Sequence, residues 1–224
     1  NGMRKRGPLK PGAPGHPQHV EGYTVMGLDP AMAGATGAVI VTYNKADGYI
    51  YVLDAVNMTD PTPDKIQNLI EEWVERYKPQ EFRVEINAHQ KAYAMDSDLV
   101  QYLAQYGCKL NPHFTGKNKW DTSFGIAAMS GLFGTMRSGD HQNDNLIELP
   151  SSEGSEGIKA LVQQLLTWKP DTKGATDCVM ALWFTVIRAR ELIQQNTKVT
   201  PYMNNRWATR SQMDRRTTVN LDEI

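Results

Sequence analysis

Cysteine is nearly absent from this chain: Cys108 and Cys178 are the only two among 224 residues. They lie far apart and form no C-x-x-C pair, which excludes a disulfide-stapled scaffold and a paired-thiolate metal site. Their flanks are apolar or mixed, so both read as reduced core thiols of an intracellular protein. Long hydrophobic runs are missing too. No stretch approaches the roughly 20 apolar residues that a bilayer-spanning helix needs, and no secretory signal opens the chain. Formal net charge is only −1. Overall basicity therefore gives no argument for nucleic acid, and only local clustering can. No phosphate loop of the form G-x-x-x-x-G-K-[ST] occurs, so a P-loop motor is excluded from these residues. The chain opens on Asn1 rather than Met and reads as a fragment from which domains are missing.

What is present falls into three parts. Residues 1–21 carry Arg4, Lys5, Arg6 and Lys10 among prolines and glycines, a composition that cannot bury a core and reads as a basic, disordered linker. Residues 196–224 carry Arg206, Arg210, Arg215 and Arg216 with few apolar neighbours and read as a basic tail. The body, 22–195, alternates strand and helix signals. Strands are expected at Tyr23–Leu28, Ala38–Tyr43 and Tyr49–Val56, the last two joined by a hairpin turn over Asn44–Gly48. Helical spacing of Ile66, Leu69, Ile70, Trp73, Val74 and Tyr77 predicts a helix opened by Pro61/Pro63 and stopped by Pro79. A strand at Phe82–Ile86, a helix at Asp96–Tyr106 ended by Gly107, and a strand at Lys109–Phe114 follow.

Lys119–Met136 reads as a helix weakened by Gly125, Gly131 and Gly134, and Leu146–Leu149 as a short extended piece. Ser152 or Glu153 to Trp168 reads as a helix with Ile158, Leu161, Val162, Leu165 and Leu166 on one stripe. Thr176–Ile193 is a strongly apolar last helix. Trp73, Trp120, Trp168 and Trp183 are expected in the core. A three-strand antiparallel meander followed by crossover strands implies an α/β fold: a mixed sheet of five or more strands with helices on both faces.

Three carboxylates interrupt apolar elements. Asp29 ends the first strand in Gly27-Leu28-Asp29-Pro30-Ala31. It reads as a ligand or as a turn aspartate before Pro30. Glu85 lies inside Phe82-Arg83-Val84-Glu85-Ile86, where glutamate is a poor strand residue. It reads as a site acid, as a residue on the exposed face of an edge strand, or as a salt-bridge partner of Arg83 or a neighbour. Asp177 begins the apolar last helix in Thr176-Asp177-Cys178-Val179-Met180-Ala181-Leu182. It reads as a site acid, or as a first-turn acid on the helix dipole with Thr176 as N-cap. Converging carboxylates repel and raise one another's pKa, and a divalent cation relieves that repulsion. Hard oxygen donors without a His/Cys cluster suit Mg2+ or Mn2+.

Taken in order, these segments resemble the motifs of the nuclease domain of tailed-bacteriophage large terminase subunits, which have a ribonuclease H-like fold. Gly27-Leu28-Asp29-Pro30-Ala31 looks like the first-strand aspartate motif. Val84-Glu85-Ile86-Asn87-Ala88-His89-Gln90-Lys91 is similar to the strand glutamate followed by Asn and Gln. Thr115-Gly116-Lys117-Asn118-Lys119 looks like the lysine-bearing segment that opens the next helix. Leu146-Ile147-Glu148-Leu149-Pro150 resembles the approach to the last motif, and Thr176–Leu182 resembles the final aspartate helix. The likeness covers about residues 22–193. It departs at one place. The family often has a second acid before the final aspartate, where Gly174, Ala175 and Thr176 stand here; Asp171 either substitutes for it or is a loop residue.

The resemblance implies a metal-dependent endonuclease of double-stranded DNA, acting in the cytoplasm of an infected bacterium during genome packaging. Asp29, Glu85 and Asp177 would hold two Mg2+ or Mn2+ ions for in-line phosphodiester hydrolysis. Lys117, Lys119, His89 and Gln90 would touch DNA or stand as surface residues. An N-terminal packaging ATPase, missing from this chain, the portal and the small terminase are the implied partners. Three other readings remain. A junction resolvase or transposase core would use the same acids. A sugar-kinase or actin-like ATPase would use Asp29–Gly37 as a phosphate loop. A silent DNA-binding module would keep the fold alone.

Overall fold

The computed structural model describes residues 21–30, 34–86, 97–121, 125–133, 146–150, 155–169 and 176–199, the side chains of 117–118 and 196–199 excepted. Nearly all of the expected linker and tail lie outside these ranges. The chain divides into two compact units, Asn1–Ala189 and Arg190–Ile224. Everything below concerns the first.

Six strands form one sheet: β1 (Tyr23–Asp29), β2 (Thr36–Tyr43), β3 (Ile50–Met58), β4 (Glu81–Glu85), β5 (Lys109–His113) and β6 (Ile147–Glu148), in the order β5-β4-β1-β2-β3-β6. β1, β2 and β3 are the antiparallel meander, and β4, β5 and β6 add in parallel. Only β2 therefore runs against the rest. The carboxyl ends of β1, β4 and β5 open at one edge. The hairpin over Asn44–Gly48 is closed by Asn44, whose Oδ1 accepts from the Ala46 N–H at 2.8 Å, and by Gly48 at φ 80°. An aspartate or asparagine side chain that mimics a backbone turn, followed by a left-handed glycine, is the chemistry such a turn requires.

One face of the sheet carries Met26, Leu28, Ala38, Ile40, Phe82 and Val84. Helix α1 (Pro63–Tyr77) covers it with Ile66, Leu69, Ile70, Trp73, Val74 and Tyr77, all buried. Thr62 caps α1, its hydroxyl accepting from the Lys65 N–H at 3.3 Å, and Lys78 ends it in the left-handed region. Helix α2 (Ser97–Gln105) adds Leu103 to the same layer, and Gly107 at φ 71° turns the chain back into β5.

The opposite face carries α4 (Glu156–Thr167) and α5 (Asp177–Val199). Alternation places Val25, Gly27 and Asp29, with their neighbours Glu81, Arg83, Glu85, Val39 and Gly37, on this side. α4 lies against β3, where a Cβ on Gly157 would collide with the Ala55 carbonyl oxygen. α5 lies across Gly27 and Gly37, whose absent side chains admit its backbone. The burial of Trp183 and Phe184 against this face makes α5 as much a core element as α1.

Three expectations are corrected. Lys119–Met136 is no single helix. A 3-10 turn at Lys117–Trp120, a short α3 (Ile126–Met129) and a 3-10 turn at Ser130–Leu132 replace it. Gly125 stands outside the helix in extended conformation at the N-cap of α3, because a backbone without Cβ gains little from helix and loses much entropy. On α4 the expected stripe is displaced: Leu166 is 79% exposed, and Gln164 is buried in its place. Trp120 is half exposed rather than in the core, and Trp168 is only partly buried, whereas Trp73 and Trp183 are buried as expected. Cys108 and Cys178 are free and buried, also as expected.

Candidate active site

Asp29 is the last residue of β1, and its register partner on β2 is Gly37. Glu85 is the last residue of β4, opposite His113 on β5. The β1–β4 register ends at Leu28 and Val84, and one further step along both strands brings Asp29 beside Glu85. Glu85 is near enough to act on the Asp29 carboxyl by hydrogen bonding as well as by charge. Asp177 is the first residue of α5, and its backbone lies against Gly37, one strand over from Asp29 on the same face of the sheet. Two strand ends and a helix start thus converge through pairing on one side and a glycine contact on the other.

The electrostatics follow from that placement. Burial, the hydrogen bond to Glu85, and the charges of Glu85 and Asp177 push the Asp29 carboxyl up to about 9, while Lys119 pulls it down. Burial also raises the Asp177 carboxyl. The Cys178 thiol is pushed up to about 12 by burial and by the charges of Asp177 and Asp29. It is an inert neighbour rather than a nucleophile. Among the described residues, no set of three His, Cys, Asp or Glu side chains is drawn together in ligand geometry. The carboxylates are nevertheless within electrostatic reach of one another. A half-buried acid whose carboxyl is raised by two like neighbours is the state a divalent cation would relieve, so the donor set fits a hard cation.

Glu85 is 7% exposed on an inner strand, so the edge-strand reading fails. Arg83 does not pair with it. The Arg83 Nε lies 2.5 Å from Glu81 Oε1, and Glu81 also receives Asn111 at 3.0 Å, Tyr23 at 3.2 Å and the Arg188 guanidinium at 2.8 Å. Burial would raise Glu81, but Arg83, Asn111 and Arg188 outweigh it and hold the carboxyl below its usual range. One face of β4 therefore presents an acid at Glu81 that is neutralised by its own cations and a second acid at Glu85 beside Asp29. His113, beside Glu85, is packed edge-on against Trp183 at 5.4 Å and tilted against Phe184 at 5.0 Å.

Lys119 is placed near the site by its effect on Asp29, and its Nζ lies 5.2 Å from the Trp120 ring centroid. Lys117 belongs to the same 3-10 turn. His89, Gln90 and Asp171 lie outside the described residues. Thr176 occupies the N-cap position of α5, its carbonyl accepting from the Met180 N–H at 2.9 Å. The N–H groups that a capping hydroxyl would take are instead held by Gln164, at 2.9 Å from Cys178 and 3.4 Å from Val179. Local sequence pointed to neither Gln164 nor Gly37. A buried amide on an otherwise apolar helix stripe and a Gly in a β-rich run are the signals that each left.

No protein-family model and no curated protein sequence matches the chain. Solved structures do. The large terminase nuclease domain of P22 superposes at a TM-score of 0.52 with 13% identity, covering 82% of this chain and 86% of that one. The nuclease domain of the large terminase subunit of bacterial virus Sf6, in a mutant form with manganese and β-thujaplicinol, superposes at 0.52 with 7% identity, covering 73% and 87%. The fold is ribonuclease H-like. A large terminase from a thermophilic bacteriophage superposes at 0.48 with 11% identity, and the chain spans 39% of its length. Within the ribonuclease H-like sheet of this protein, the three acids occupy the edge where β1, β4 and the start of α5 meet.

Proposed function

We propose that this chain is a divalent-metal-dependent endonuclease of double-stranded DNA, the nuclease domain of a phage large terminase subunit, acting during genome packaging in the infected cell. The observation that supports it most is the placement of the half-buried Asp29 beside the buried Glu85 at neighbouring strand ends, with Asp177 within electrostatic reach. Such an arrangement is costly unless a cation repays it. Asp29, Glu85 and Asp177 would hold Mg2+ or Mn2+, two ions in the terminase reading. Bound metal of this kind supplies an activated water and stabilises the leaving oxygen of a phosphodiester.

The remaining chemistry falls to the protein. Asp29 must release its proton before it can bind a cation, so metal affinity rises with pH toward 9. Two of the acids stand at strand ends and the third at the start of α5. Lys119 places a positive charge beside the acids, where a DNA phosphate would approach. Lys117, His89 and Gln90 are further candidates for DNA contact, and Asp171 for an additional ligand. A motor ATPase domain, the portal and the small terminase are the partners this reading carries.

The test is cleavage of supercoiled plasmid with Mn2+, Mg2+ or EDTA, beside Asp29→Asn and Asp177→Asn. Metal-dependent cutting that both substitutions abolish is expected. Cutting that survives in both would assign the activity elsewhere. Linear duplex, four-way junction and RNA–DNA hybrid substrates run in parallel decide between a packaging nuclease and a resolvase using the same acids.

A further inference from the structure

Resting on the proposed metal site, we infer that Gln164 is a positioning residue that sets where Asp177 stands. Gln164 lies on α4 and is 6% exposed, in a helix face otherwise made of Ile158 and Leu161. Its Oε1 accepts from the Cys178 N–H at 2.9 Å and from the Val179 N–H at 3.4 Å. These are the second and third residues of α5, whose N–H groups have no partner inside the helix. A Ser, Thr, Asp or Asn at the N-cap ordinarily accepts from them. Here the acceptor comes from 14 residues away, on another helix.

The path from the sheet to Asp177 is short. Gly157 lets α4 touch the backbone of β3 at Ala55. Gln164 is two turns further on the same face of α4, and its amide grips the first turn of α5. Gly37 of β2 meets that turn from below. Asp177 is thus clamped between sheet and α4, and Gln164 is the polar half of the clamp. Its side-chain oxygen satisfies the two N–H groups. Without it, two buried donors are left unpaired, and the cheapest relief is for the first turn of α5 to unwind and carry Asp177 outward.

The experiment measures Mn2+ binding by titration calorimetry, with hydrogen exchange at the Cys178 and Val179 amides, in the full chain. The variants are Gln164→Met, which keeps volume and removes the acceptor, and Gln164→Glu, which keeps an acceptor of the same reach. Leu161→Ala is the control that loosens α4 without touching the cap. Gln164→Met is expected to bind Mn2+ at least tenfold more weakly and to lose protection at both amides. Gln164→Glu is expected to keep protection and to bind within threefold of wild type, and it carries the test if the Met variant does not fold. Leu161→Ala is expected to lose stability yet keep Mn2+ affinity. Wild-type affinity in folded Gln164→Met, tenfold weaker binding in Gln164→Glu, or an equal loss in Leu161→Ala would each overturn this inference alone. A wild-type protein that binds no Mn2+ would overturn the metal reading and this inference with it.

Discussion

Gly37 and Asp177 are in backbone contact: a Cβ at Gly37 would collide with the carbonyl group of Asp177. Because Gly37 is also the register partner of Asp29, this one glycine sets how closely a helix-borne acid approaches a strand-borne one. Gly37→Ala must push the start of α5 away from the sheet. Overpacking of this kind costs about 1–3 kcal/mol, and the displaced element carries Asp177. Urea denaturation should show that loss, and the stabilisation of the protein by added Mn2+ should shrink with it. A variant that keeps its full Mn2+-induced stabilisation would show that the contact does not govern the site.

Asp29→Asn should stabilise the metal-free protein. The Asp29 carboxyl stands at about 9 in the folded protein against 3.8 unfolded, so the folded state holds its proton more tightly. Its contribution to stability is full below about pH 4 and is lost as pH rises toward 9. Asn removes that penalty. At pH 8 in EDTA, where most of that penalty is in force, the variant should be clearly more stable than the wild type. The difference should vanish near pH 4, and thermal melts across pH would show it.

Glu81 has the opposite pH signature. Its carboxyl is held below 4.5 by Arg83, Asn111 and Arg188 against the cost of burial. Its contribution is present above that value and lost as pH falls through the folded pKa. Glu81→Gln should therefore flatten the acid limb of the stability profile and leave the alkaline limb to Asp29. Glu81→Ala, which removes the buried carboxylate shared by Arg83 and Arg188, should cost about 3–5 kcal/mol. Acid denaturation midpoints that do not differ between wild type and Glu81→Gln would show that the pair is not the acid-labile element.

Both cysteines should be silent toward thiol reagents. Burial alone, helped at Cys178 by Asp177 and Asp29 and at Cys108 by Glu81, pushes each thiol up to about 12. Reaction with a chromogenic disulfide at pH 8 should be undetectable in the native protein and complete in urea. Fast labelling of Cys178 in the native state would mean that the first turn of α5 opens readily.

The parts of this structure legible from the sequence share one cause. Where a single amphipathic element meets a single core face, its periodicity records the contact. The stripe Ile66 to Tyr77 and the turn chemistry of Asn44–Gly48 were readable for that reason, and all of that stripe is buried. The three acids stood out because each interrupts an apolar run, and burial made the interruption costly enough to notice. Lys119–Met136 misled because its apolar spacing is helical while its glycines deny the helix, and tertiary contacts broke it into short turns. Leu166 misled for a related reason: α4 turns Gln164 inward to serve α5 and leaves Leu166 in solvent.

The sequence by itself determined the order of strands and helices, the mixed sheet and the identities of the acids at element ends. Each is a local matter of periodicity, turn residues and charge in an apolar setting. Only the tertiary structure decided which groups meet. Parallel pairing put Glu85 beside Asp29, Gly37 let Asp177 approach, Glu81 took Arg83, and Gln164 replaced the local cap of α5. Those choices join residues far apart in the chain. Their energies depend on distance and desolvation, which no local pattern of letters encodes.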